Sequence, residues 1–256
     1  MPYAENAGVR IHYEMEGSGP PLFLHHWSMA TSAGWCYHGY VDELAHDFTV
    51  IAHDVRGHGR SDKPHDAAAY SLAHRTGDVI AVLDDADVEK ARFYGYSMGG
   101  WVGFGLAQSA SDRFESIAVG GAHPYEQSMA GMRAMLDLAI EQGVQALIEE
   151  IRSADPGFAR AHADEWRHAD FEAQKAAATD RLSMEEGLPT INASMLILAG
   201  TEDALYEKAR RAADTIPYAR FERVDGKDHG GAIEATDLVI PLLRSFFLCS
   251  QEGRQA

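Results

Sequence analysis

The 256-residue chain is long enough for one sizeable α/β domain with an insertion, and its 46% hydrophobic and 24% charged residues exclude a disordered or collagen-like chain. Its formal net charge of −17 repels phosphate backbones and anionic lipid, so nucleic acid and membrane surfaces are poor partners. Met1 to Glu16 lacks the basic-then-apolar pattern of a signal peptide, no apolar run is long enough to span a bilayer, and Cys36 and Cys249 show no framework or metal spacing; a cytoplasmic chain with two unpaired thiols is expected.

Val9 to Met15 alternates apolar and polar residues, as a half-buried strand does. Gly17 to Pro21 is a turn, and the short apolar runs Leu22 to Leu24 and Phe48 to Ala52 fit buried strands. Ser71 is placed to cap a helix reaching about Asp85. Ala91 to Tyr96 reads as a strand and Trp101 to Gln108 as a helix after it. Ile117 to Gly120, Met195 to Ala199 and Ala219 to Val224 are further strands, and Asp237 to Phe247 a final helix. Strands alternating with helices predict a parallel sheet covered on both faces. Between about His123 and Thr190 strand signals vanish. Met132, Met135, Leu136 and Ile140 recur there at helical spacing, as do Val144, Leu147, Ile148 and Ile151. This divides the chain into a core of residues 1–122 and 191–256 and a helical cap of residues 123–190. The methionine face of the cap either lines a pocket or packs as an ordinary amphipathic face.

Gly95-Tyr96-Ser97-Met98-Gly99 matches G-x-S-x-G between a strand and a helix, which presents a serine hydroxyl on a sharp turn. A hydroxyl nucleophile needs a general base, and the base an orienting acid. Asp203 follows the strand Met195 to Ala199, and His229 lies in a loop after Ala219 to Val224, so the chain order is Ser, Asp, His. Glu202 and Asp228 are rivals for the acid, but Asp228 adjoins the histidine and is poorly placed to face it. Met98, the residue after the nucleophile, is expected to supply one oxyanion N–H, and the His25-His26-Trp27-Ser28 loop the other. His123, following a strand, is placed to reach the pocket mouth. The tyrosine of Leu205-Tyr206, just past Asp203, is a further substrate-binding candidate. His25 and His26 are adjacent, which is poor metal-ligand geometry, and H-E-x-x-H and C-x-x-C are absent, so no metal is expected.

Taken together, Leu22-Phe23-Leu24-His25, the segment Asp54-Val55-Arg56-Gly57-His58-Gly59-Arg60-Ser61, the Ser97 turn, Asp203 and His229 resemble the α/β-hydrolase superfamily, in its serine esterase and lipase-like branch, over nearly the whole chain. The resemblance implies an α/β-hydrolase fold: a mostly parallel eight-stranded sheet flanked by helices, with a helical lid inserted after the sixth strand. It implies Trp27 as the second oxyanion donor and a structural role for Asp54 to Ser61. Serine at the nucleophile position sets the chain apart from haloalkane dehalogenases and epoxide hydrolases, which carry Asp. The family usually has His-Gly where this chain has His25-His26. Either His26, a substrate-binding candidate, narrows the acyl side of the pocket, or the loop takes another path.

The expected activity is hydrolysis of a small carboxylic ester through an acyl-enzyme, with no cofactor. Hydrolysis of a lactone, or of a carbon–carbon bond in a ring-cleavage product, uses the same residues. A small-ligand receptor on the same fold is the alternative of another class, and a homo-oligomer is compatible with the sequence.

Overall fold

The structure is a computed structural model that describes residues 2–154 and 156–249; at Cys249 only the backbone is described, so a Cys36–Cys249 pairing lies outside it. Eight strands form one sheet: β1 (Tyr3–Asn6), β2 (Val9–Gly17), β3 (Pro21–His25), β4 (Thr49–His53), β5 (Ala91–Tyr96), β6 (Phe114–Gly120), β7 (Ser194–Gly200) and β8 (Ala219–Val224). Their spatial order is β1-β2-β4-β3-β5-β6-β7-β8. β2 pairs antiparallel with both β1 and β4, and every other pairing is parallel.

The helices are α1 (Ala33–Tyr37), α2 (Tyr40–Leu44), α3 (Leu72–Asp85), α4 (Met98–Ser109), α5 (Ala130–Gln142), α6 (Val144–Ala154), α7 (Pro156–Trp166), α8 (Phe171–Ala177), α9 (Tyr206–Thr215), α10 (His229–Glu234) and α11 (Thr236–Cys249). Alternation along the strands divides the core between the two faces of the sheet. Phe23, Ile51, Phe93, Ile117 and Ile197 point to one face, against Val79 and Val82 of α3 and Val102 of α4. Leu22, Leu24, Tyr94, Tyr96 and Leu198 point to the other, against Val41 of α2 and Val239 of α11. All six residues of β5 are buried, as suits a central strand covered on both faces. Ser71 caps α3 as its sequence predicts, its hydroxyl accepting from the His74 N–H at 3.2 Å.

Between β6 and β7 lie α5 to α8. Leu136, Leu147, Ile148, Ile151 and Trp166 bury one another there in a third cluster, which Met29 of the core joins. The Trp166 Nε1–H donates to the Met29 carbonyl at 2.7 Å and ties these helices to the core.

Three features depart from the sequence reading. The four-residue strand β1, paired with β2, carried no signal. The short helices α1 and α2 fell between the predicted elements. His229 is the first residue of α10 rather than a loop residue, because the Asp228 carboxylate accepts from the Gly231 N–H at 2.7 Å and starts a helix there.

Candidate active site

The parallel strands end together. Register pairs His25 with Gly95, Tyr96 with Gly120, Gly120 with Leu198, and Gly200 with Val224. The segments leaving β3, β5, β7 and β8 therefore meet at one edge of the sheet, where open α/β sheets hold their ligands.

Ser97 stands between β5 and α4 at φ 54°, ψ −107°, a backbone state that a residue with a Cβ rarely adopts. The turn is tight enough that a Cβ on Gly95 would overlap the Gly99 carbonyl, and one on Gly99 the His25 carbonyl. Glycine at both places lets β5 run straight into a helix, and the Ser97 N–H is fixed by the Gly120 carbonyl at 2.8 Å.

Ser97 Oγ lies 3.1 Å from His229 Nε2, and His229 Nδ1 lies 2.7 Å from Asp203 Oδ2. With the imidazole neutral, one set of protons fits this chain: Nδ1–H donates to the ionised carboxylate, and the Nε2 lone pair accepts from the serine hydroxyl. Asp203 is only 6% exposed. Burial alone would raise its pKa, but the His229 hydrogen bond and charge and the Leu205 N–H together hold it below the ordinary carboxylate value. That N–H donates to Asp203 Oδ1 at 2.8 Å. The Tyr96 hydroxyl donates to the His229 carbonyl at 2.7 Å and anchors the histidine from β5.

A cavity of about 310 Å³ opens over Ser97 and His229. Trp27 and Ser28 wall it from the β3 loop, Met132 and Met135 from α5, and Ile151 and Phe158 from α6 and α7. Two of the methionines of the insertion thus line a pocket, and Leu136 packs inside. Met98 opens α4, so its N–H has no acceptor within the helix.

Three predicted substrate contacts lie elsewhere. His26 is fully buried and does not line the cavity. Its Nε2 accepts from the Val55 N–H at 3.0 Å, and its Nδ1–H donates to the Trp27 carbonyl at 2.8 Å. Burial pushes its pKa down, which keeps the ring in this neutral form. The left-handed residue of the loop is Met29, at φ 64°; His26 needs no positive φ, so the absence of glycine there costs nothing. The His26 ring instead pins the loop that carries Trp27. His26→Ala leaves a buried donor and a buried acceptor unpaired, and about 2–4 kcal/mol of stability should be lost in chemical denaturation.

His123 is buried, its Nδ1 accepts from the Tyr125 N–H at 3.2 Å, and burial lowers its pKa to about 4. Tyr206 turns onto Phe221, with ring centres 5.4 Å apart, at the start of α9. Neither lines the cavity. The Asp54 to Ser61 segment is held inward: Asp54 accepts from the N–H and hydroxyl of Ser32 and the N–H of Arg60, each at 2.9 Å. The cavity residues of α6 and α7 escaped sequence reasoning, because apolar residues there read equally as cap core. Among the described residues, no three His, Cys, Asp or Glu side chains gather as metal ligands, and no helix is long and apolar enough to cross a membrane.

Residues 22–241 match the model of the alpha/beta hydrolase family. A 2-hydroxymuconate semialdehyde hydrolase from Pseudomonas sp. (strain CF600) is 29% identical over 220 residues, covering 78% of this chain and 76% of that protein. A putative carbamate hydrolase, RutD, from Azorhizobium caulinodans is 34% identical over 119 residues, 46% of this chain and 43% of that protein. The chain spans less than half the length of several curated relatives that it matches. Among solved structures, the enol-lactonase from Burkholderia xenovorans LB400 superposes with a TM-score of 0.85 at 26% identity, covering 96% of this chain and 100% of that one.

Proposed function

Because this chain belongs to the alpha/beta hydrolase family, we propose that it is a serine hydrolase cleaving a small carboxylic ester, with Ser97 as nucleophile, His229 as base and Asp203 as its orienting acid. The observation that carries this reading is the unbroken hydrogen-bonded chain from Ser97 through His229 to a buried carboxylate, at the floor of a cavity. Ser97 Oγ attacks the ester carbonyl as its proton passes to His229 Nε2. The Asp203 carboxylate stabilises the imidazolium. The N–H groups of Trp27 and Met98 hold the oxyanion, Met98 with the added help of the α4 N-terminus. His229 returns the proton to the departing alkoxide, leaving an acyl-enzyme. It then takes a proton from water, which cleaves the acyl group as the free acid and restores Ser97. Residues 123–190 act as the lid over this centre. The reading places the enzyme in the cytoplasm.

A lactone, or the carbon–carbon bond of a ring-cleavage product, is the second reading. It is favoured by the enol-lactonase, whose whole length this fold covers, and by the semialdehyde hydrolase.

p-Nitrophenyl esters of graded acyl length separate these. A cavity of this size predicts steady turnover with kcat/KM falling beyond roughly six acyl carbons. Activity confined to a dienoate would reject the ester reading, and tight binding with one turnover or none would indicate a receptor.

A further inference from the structure

Beside the Ser97 cavity lies a second recess of about 20 Å³, room for roughly one water-sized group. Ser28, Met29 and Met132 wall both spaces, so the two adjoin. Two guanidinium groups line the recess. Arg75 on α3 is 2% exposed, and Arg181, on the segment between α8 and β7, is 7% exposed.

Their partners are neutral. Arg75 donates to the Tyr70 carbonyl at 3.0 Å, the Ala177 carbonyl at 2.7 Å and the Met98 sulfur at 3.2 Å. Arg181 donates to the Gln127 side-chain oxygen at 3.0 Å and lies 5.0 Å from the centre of the Trp101 ring. Among the described residues neither reaches a carboxylate at ion-pair distance, although the chain holds 39 acidic residues. The nearest acid on α3, Asp78, is bound to Arg56, whose Nε donates to it at 2.6 Å.

Two buried like charges with no ion-paired anion of their own are costly; the charge of Asp78 offsets part of that cost for Arg75, and the remainder is visible in both groups. Burial lowers the pKa of Arg75 to about 10, and burial with the Arg75 charge lowers that of Arg181 to about 9. The rest of the wall also offers donors. The Trp101 Nε1–H, in a residue 6% exposed, is buried without an acceptor. The Gln174 side-chain oxygen is buried without a partner, and turning that amide over presents two N–H groups instead.

Building on the hydrolase reading, we propose that this recess receives a carboxylate of the substrate, so that the enzyme acts on anionic esters or lactones. A carboxylate is the smallest organic anion that two guanidiniums bind with matched geometry, and seating it requires the one-water recess to widen by the shift of a lining side chain. The placement suits the chemistry. Met98 follows the nucleophile, and its sulfur meets Arg75, so the anion sits one side chain away from the reacting carbonyl. The surrounding methionines, Met29, Met98, Met129 and Met132, can shift to seat the group.

The test is selectivity in the full-length enzyme, using matched substrates. Mono-p-nitrophenyl glutarate is paired with p-nitrophenyl butyrate, and acetoxyacetate with ethyl acetate, to put the charge on the acyl or the alcohol side. At least one anionic member should exceed its neutral match in kcat/KM by about 10-fold or more. The net charge of −17 repels anions at long range, so such a preference has to come from the site. Arg181→Met and Arg75→Met should each lower that ratio roughly 10–100-fold, and Arg181→Lys should restore part of it. Glutarate should inhibit the wild-type enzyme competitively where glutaramide does not, which decides the matter even if a buried arginine variant fails to fold. Turnover of the neutral esters with no preference in either pair, and no inhibition by glutarate, would overturn the anion recess alone. No turnover of any of the four esters, with no phosphonate labelling of Ser97, would overturn the hydrolase reading and this proposal with it.

Discussion

Replacing Ser97 by alanine is expected to lower kcat roughly 10⁴–10⁶-fold and leave the folded structure intact. The hydroxyl is the only part of the side chain that meets His229, at 3.1 Å, and without it the base has no nucleophile to activate. Its surroundings do not depend on it, since the Ser97 N–H and carbonyl are held by Gly120 and Trp101 through the backbone. The same position predicts a second effect. Ser97 occupies φ 54°, where a Cβ is strained, so Ser97→Gly should be equally inactive yet more stable by about 1 kcal/mol. Steady-state ester hydrolysis and chemical denaturation of the two variants check both parts. Retained esterase activity in purified Ser97→Ala would remove the assignment.

Asp203→Asn is expected to lower kcat about 10⁴-fold, although the side chain barely changes in shape. The reason lies in the hydrogen bonds around it. The Leu205 N–H donates to Asp203 Oδ1 at 2.8 Å, so an asparagine has to keep its oxygen on that side. Its NH₂ group then faces His229 Nδ1. A nitrogen that receives a hydrogen bond cannot carry the proton, so the ring shifts its proton to Nε2, the atom needed to accept from Ser97. The base is lost through its tautomer, and the Ser97–His229 distance need not alter.

The same carboxylate has a pH signature in stability. Its folded pKa lies below the unfolded value of 3.8, so its contribution is present above that value and is lost as pH falls through the lowered one. Asp203→Asn should therefore lose less stability than wild type on acidification across that window, measured by urea denaturation. Equal acid sensitivity of the two proteins would contradict the ionised, partnered Asp203.

Much of this centre was legible in the sequence because its parts are local. The Ser97 turn is a contiguous signature, and the strands before Ser97, Asp203 and His229 are short apolar or alternating runs that periodicity finds. What chain order could not tell was which way side chains turn. Histidine in place of the usual glycine at position 26 leaves open whether the ring narrows the pocket or the loop takes another path; the loop puts its left-handed residue at Met29 and turns the imidazole onto Val55 and Trp27. Tyr206 lies three residues after Asp203, and because α9 begins there its ring packs on Phe221, away from the cavity.

Arg75 and Arg181 were illegible for a different reason. An arginine beside polar residues, as in His74-Arg75-Thr76 and Asp180-Arg181, reads as a solvent-facing charge, and the folding of the insertion over α3 and α4 buries these two. The short strand β1 has no hydrophobic pattern of its own, because its place is set by pairing with β2.

The central claim is that Ser97 is an activated nucleophile, and reaction with a fluorophosphonate tests it without any knowledge of the substrate. Peptide mapping by mass spectrometry of the labelled enzyme should place a single adduct on Ser97, abolished in Ser97→Ala and strongly slowed in Asp203→Asn. Label on another serine, or no label on an enzyme that hydrolyses esters, would contradict the account.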